Sequence, residues 1–272
     1  MIRASSEDTL GPGPCRDGLY VYCVAPAAAE AFSLLGPIGL DGQAVFTIAR
    51  AGLCCLVHAC PAKPNESADP ATVERWVVAH QRVVEGAMKA FGTVLPMAFN
   101  MIVQGGPDGD AARCVGDWLA AKREHFAALL DRLAGKAEFG VQILWDPQAV
   151  TATVVQDDPA LRGLCDEALG KPKGKAYMIQ QKLAKDARQA VEQRARQCVQ
   201  EFYASIRQAV EEVRVDTPRK RDGRLQMLLN LSCLAEPPAA ALGAVLEKVQ
   251  STPGVSVRFT GPWPPYSFVR TA

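Results

Sequence analysis

The sequence contains no uninterrupted apolar run of about eighteen residues, so it offers no candidate transmembrane helix. It also lacks an excess of either charge sign: 30 Lys and Arg against 29 Asp and Glu leave a net charge of +1. That balance provides no overall field to gather nucleic acid or an anionic membrane, and neither partner is expected. The one dense basic cluster, Arg219-Lys220-Arg221 with Arg224, has no interleaved aromatic residue and reads as a solvated turn. Histidine is scarce, at three residues. No Gly-x-Ser-x-Gly elbow appears, which leaves nucleophilic catalysis without a recognisable motif. In Gly170-Lys-Pro-Lys-Gly-Lys175 the glycine spacing is too short for a phosphate-binding P-loop, and Ala176 stands where Ser or Thr is required. The N-terminus, Met1-Ile-Arg-Ala-Ser-Ser-Glu-Asp8, has no apolar core and is read as carrying no secretory signal. Nine scattered cysteines, an odd number without CxxC spacing, read as reduced thiols in a cytoplasmic protein.

The chain has ample core-forming residues, at 49% hydrophobic in 272 residues, enough for two domains. Residues 1–17 are polar and Gly/Pro-rich and read as a disordered extension. An N-terminal domain over 18–136 follows. Leu19–Val24 is a buried-strand run. Gln43–Ala49 and Leu53–Ala59 form a hairpin with a loop of three or four residues around Arg50-Ala51-Gly52. Asp69-Pro70 starts a helix ending at Gly92. Val94–Val103 is a short apolar segment, and one amphipathic helix runs from Ala111 to Leu133. The strand Glu138–Asp146 opens a second domain, 137–258, with a helical region over 147–215. Lys175–Val215 has neither Gly nor Pro, and its narrow apolar seam suggests coiled-coil-like packing within the chain or in self-association as an oligomeric scaffold. Strand, helix and strand follow. The fold class is α+β in two domains, the second ferredoxin-like with an enlarged helical insertion. The tail, 259–272, reads as a stiff Pro/aromatic strap clasping the two domains.

Few side chains invite chemistry. Cys54, His58 and Cys60 alternate onto one strand face, with Cys55 on the other. They could ligate a metal in a metal-dependent enzyme, but core packing is the reading their strand context favours. His80 sits on the apolar stripe of its helix. Glu85, at i+5, does not share that face, so His80 reads as a core residue or hydrogen-bond anchor.

Several blocks, in order, resemble the gas vesicle protein GvpF/GvpL family. They are Leu19–Tyr22, Gly39-Leu-Asp-Gly42, His80–Met88, Val94-Leu-Pro-Met97 with Phe99, Gly135–Val141 with Trp145-Asp146, Gly174-Lys-Ala-Tyr177, and Phe259-Thr-Gly-Pro-Trp-Pro-Pro-Tyr-Ser-Phe268. The resemblance implies two α+β domains, no catalytic residue and no cofactor. It also implies a cytoplasmic, vesicle-associated role in assembly, as an accessory protein that binds the shell protein GvpA, alongside other gas vesicle proteins, and limits its premature aggregation. It marks His80, Glu85, Leu95, Pro96, Met97, Phe99, Trp145, Asp146, Tyr177, Trp263, Pro264, Pro265 and Tyr266 as structural or partner-contact candidates. The chain departs from the family pattern at Ala98 and Asn100, where Arg and Gly are usual.

Overall fold

A computed structural model describes residues 17–27, 39–106, 109–217 and 224–269. The expected N-terminal extension, apart from Asp17, and the cluster Arg219–Arg221 lie outside these residues. Asp17 itself is held, because its Oδ1 accepts the Ala62 N–H at 2.9 Å. The chain divides into two compact units. One comprises residues up to Gly135 together with Pro264 onward, and the other is Lys136–Trp263.

In the first unit, β1 (Gly18–Pro26) pairs antiparallel with β3 (Leu53–Cys60), which pairs with β2 (Phe46–Arg50). The β2–β3 turn is tighter than the spacing suggests. It uses only Ala51 and Gly52, with φ of 56° and 81°, the left-handed pair that matches the strand twist of a two-residue hairpin. Helix α1 (Pro70–Phe91) starts where expected: the Asp69 carboxylate accepts the N–H groups of Ala71 and Thr72, and Pro70 occupies the first turn. The segment after it forms two short strands, β4 (Leu95–Pro96) and β5 (Ile102–Gln104), both on β1. The single helix expected over 111–133 is broken into α2 (Ala111–Ala121) and α3 (Arg123–Leu133) at Lys122, whose φ and ψ of −103° and 10° leave the helical region. α1, α2 and α3 all pack on β1. This explains why a strand of nearly continuous apolar residues is buried along its length.

In the second unit, β6 (Ala137–Trp145) leads into α4 (Pro147–Asp157), α5 (Pro159–Ala168) and α6 (Lys173–Gln208). Then come β7 (Glu212–Val215), β8 (Gln226–Ala235), α7 (Ala240–Gln250) and β9 (Val255–Trp263). The sheet order is β7-β8-β6-β9, with every pairing antiparallel. Alternation in β6 buries Ala137, Phe139, Val141 and Ile143, while Glu138, Gly140 and Gln142 remain partly exposed. The helical region ends earlier than expected. Glu-Val-Arg-Val at 212–215 is a strand on β8, since alternating β-branched residues can complete a sheet edge where a helix would leave that edge open. α6 packs on α4, α5 and α7 inside the unit, burying Ala187, Cys198, Phe202 and Ile206.

The tail is not one extended strap. Phe259–Trp263 finish β9, an edge strand, and the register shifts across Gly261-Pro262 as proline at a sheet edge requires. Gly261 has φ 119°, and a Cβ there would stand 2.8 Å from the Glu138 carbonyl oxygen. Beyond it, α8 (Tyr266–Val269) belongs to the first unit and packs on β4.

Candidate functional site

Two tyrosines on β1 organise the polar heart of the first unit. Tyr22 Oη accepts the Leu40 N–H at 3.0 Å and lies 2.8 Å from His58 Nδ1. Tyr20 Oη accepts the Asn100 N–H at 3.2 Å and lies 2.9 Å from His80 Nδ1. A phenol accepting a backbone N–H keeps its own proton to donate, and in each pair the imidazole Nδ1 is the group within reach of it. Burial lowers the His80 pKa to about 4. The Met97 backbone opposes that shift, although Nε2 reaches no acceptor at hydrogen-bond geometry among the described residues. Burial raises Tyr20 to about 12, against its bond to Asn100. Tyr20 and His80 therefore carry no charge near neutral pH, and the two tyrosines tie loops to the sheet. Leu40 opens the turn at 40–42. Gly39 before it lets the chain approach the phenol closely, since a Cβ there would stand 2.5 Å from Tyr22 Oη.

The family-type candidates of the first unit converge on this network. Leu95, Pro96 and Met97 are buried on β4 and just after it, and the Met97 N–H donates to the Tyr22 carbonyl at 2.9 Å. The Phe99 ring is 6.2 Å from Tyr20 and 6.1 Å from His80, and the Tyr266 ring is 6.2 Å from His80. Pro264 and Pro265 are buried, and Phe268 beyond them is fully enclosed, with its carbonyl accepting from Arg132 Nη2 at 2.6 Å. Glu85 stands apart, accepting from Gln81 on its own helix at 2.9 Å. Asn100 has φ 66°, a left-handed position that glycine fills without strain and asparagine tolerates best among other residues. Its amide also clamps the neighbouring loop, with Oδ1 accepting the Asn65 N–H at 3.0 Å and Nδ2 donating to the Asn65 carbonyl at 3.1 Å. Ala98 is exposed.

The remaining candidates lie in the second unit and do not gather. Trp145 is buried, with Nε1 donating to Gln226 at 3.2 Å. It lines a cavity of about 690 Å³ with Val150, Val154, Cys198 and Val255. Asp146 caps α4 and meets Arg224 at 2.7 Å. Burial would raise its pKa, but the guanidinium and the N–H groups of Gln148 and Ala149 outweigh that and lower it. Trp263 is half-exposed at the end of β9, and Tyr177 is exposed on α6.

Cys54, His58 and Cys60 do share a face, and it is a packed one. Cys54 and Cys60 belong to the cluster around Tyr20 and Tyr22, and burial pushes the Cys54 thiol up to about 11, the opposite of what a thiolate ligand needs. Among the described residues, no three His, Cys, Asp or Glu side chains are disposed to hold a metal. Sequence reasoning passed over Tyr20, Tyr22, Asn65 and Arg132 as functional positions. The two tyrosines left one readable signal, because residues two apart on a strand share a face.

The fold and this network define a mixed helix and antiparallel-sheet protein whose central buried polar groups brace its loops. The chain belongs to the GvpL/GvpF family: the family model for gas vesicle synthesis protein GvpL/GvpF matches residues 18–270. It is 34% identical over 264 residues to gas vesicle protein L2 of Halobacterium salinarum, covering 93% of this chain and 91% of that one. It is 33% identical over 253 residues to gas vesicle protein F of a Streptomyces species, covering 92% and 98%. The crystal structure of GvpF from an Anabaena species has the same fold, with a TM-score of 0.69 at 22% identity, covering 94% of this chain and 99% of that one. Family membership gives the chain a gas vesicle role, as an accessory protein. No helix of the described residues is long and apolar enough to cross a membrane.

Proposed function

We propose that this chain is a non-enzymatic assembly factor that binds the shell protein GvpA and limits its aggregation while a vesicle is nucleated. A shell subunit with a large apolar surface self-associates unless a partner covers it. The observation that carries the reading is the family match over nearly the whole chain. It agrees with a central polar network spent on bracing loops. We assign this activity to the cytoplasm, beside the vesicle. The β-α-β-β-α-β order of the second unit, with strands in the order β7-β8-β6-β9, supports a ferredoxin-like platform enlarged by α4–α6. The test is a pull-down with GvpA alongside deletion of the chain in a vesicle-forming strain that has no paralogue. Expected are GvpA capture and loss or malformation of vesicles. Normal vesicles in the deletion strain would sink the proposal.

A further inference from the structure

The turn between α5 and α6 carries a surface that the packing of the second unit does not use. Leu169 is 76% exposed, Met178 73% and Tyr177 61%; the first two are the most exposed large hydrophobic side chains among the described residues. Scattered apolar residues at a surface are ordinary, but three within ten positions of one helical turn and its connector are not. The charge there is equally one-sided. Residues 169–185 contain Lys171, Lys173, Lys175, Lys182 and Lys185 and no Asp or Glu, in a chain whose net charge is +1. Lys173 and Lys175 in the first turn of α6 run against the helix dipole, and no acidic residue accompanies them, so helix stability does not account for their placement.

We propose that this tip is a docking surface for an amphipathic, carboxylate-bearing segment of a protein partner, its apolar side chains meeting Leu169, Tyr177 and Met178 and its carboxylates meeting the lysines. The proposal rests on the assembly-factor reading, in which that partner is GvpA. Charge complementarity selects the acidic segment. Geometry favours a protein segment over a lipid surface. Tyr177 and Met178 are successive residues, about 100° apart around the helix, and Leu169 projects from the connector. A strand or helix laid across the turn can touch all three, whereas a flat bilayer would need them in one plane.

The test uses the full chain and GvpA kept soluble as a fusion, titrated at low and at raised ionic strength. One variant carries Tyr177→Ser with Met178→Ser. A second carries Lys171→Glu, Lys173→Glu and Lys175→Glu, so a folding defect in either leaves the other informative, with helicity checked by circular dichroism. Each variant should weaken binding about ten-fold or more, the scale of a buried interface anchor. Salt should weaken the unaltered chain more than the charge-reversed one. If the unaltered chain does not bind, the assembly-factor reading falls and takes this surface with it. If it binds and both variants bind equally well, the surface alone is overturned. Sedimentation with phosphatidylserine vesicles that depends on the same residues, with GvpA binding unchanged in the variants, would overturn the protein occupant in favour of a lipid surface.

Discussion

His80 shows how one side chain joins packing to solution behaviour. In the folded chain it is buried and neutral with a pKa near 4, against about 6.5 when unfolded. Between those values the unfolded chain binds the extra proton, so stability rises with pH through this window. The contribution is fully present above about 6.5 and lost as pH falls to about 4. The shift corresponds to about 3 kcal/mol. Urea midpoints measured from pH 7 to pH 4 should fall more steeply for the native chain than for His80→Gln; parallel slopes would refute the assignment. Asn100 makes a different point at the same scale. A departure from the family pattern fills a left-handed backbone position by the next-best residue and uses its amide to hold Asn65.

Among the elements, α6 is two structures in one helix. Its C-terminal half buries Cys198, Phe202 and Ile206, and its first turns expose Tyr177 and Met178. Ile206→Ala should cost about 2–5 kcal/mol by leaving a cavity, whereas Lys182→Ala should lie within about 0.5 kcal/mol of the native chain, as chemical denaturation would show. Elements with strong local punctuation were legible in the sequence. Asp69-Pro70 and Gly92 bracket α1, and the apolar run at 19–24 is β1. Where punctuation is missing, tertiary pairing decided. No Gly or Pro separates α6 from β7, and four alternating residues are too few to signal a strand until β8 is beside them. The break at Lys122 has no helix-breaking residue either. The network of Tyr20, His80 and Tyr266 was hidden for another reason. Its members lie 60 and 186 residues apart in the chain, and only the folded sheet brings them within ring contact.

At the scale of the whole molecule, the first unit depends on residues from both ends of the chain. Tyr266 and Phe268 seat against elements made of residues before Gly135, and Phe268 is fully buried. Ending the chain at Trp263 should cost the first unit about 3–5 kcal/mol, the scale of losing a buried Phe, and leave the second unit's sheet complete. Hydrogen exchange would read this as lost protection in β1 and α1 with β6 and β8 unchanged. Uniform loss across both units would argue against the division at Trp263.

That division also sets an order of events during synthesis. The ribosome adds Tyr266 and Phe268 after every strand of the second unit, yet it is the first unit, begun earlier, that packs them. Domains generally fold as units as they emerge. The second unit's last strand ends at Trp263, three residues before Tyr266, so the chain completes both units within one short stretch, and the aromatic seat of the earlier-made unit is filled by residues that follow nearly all of the later one.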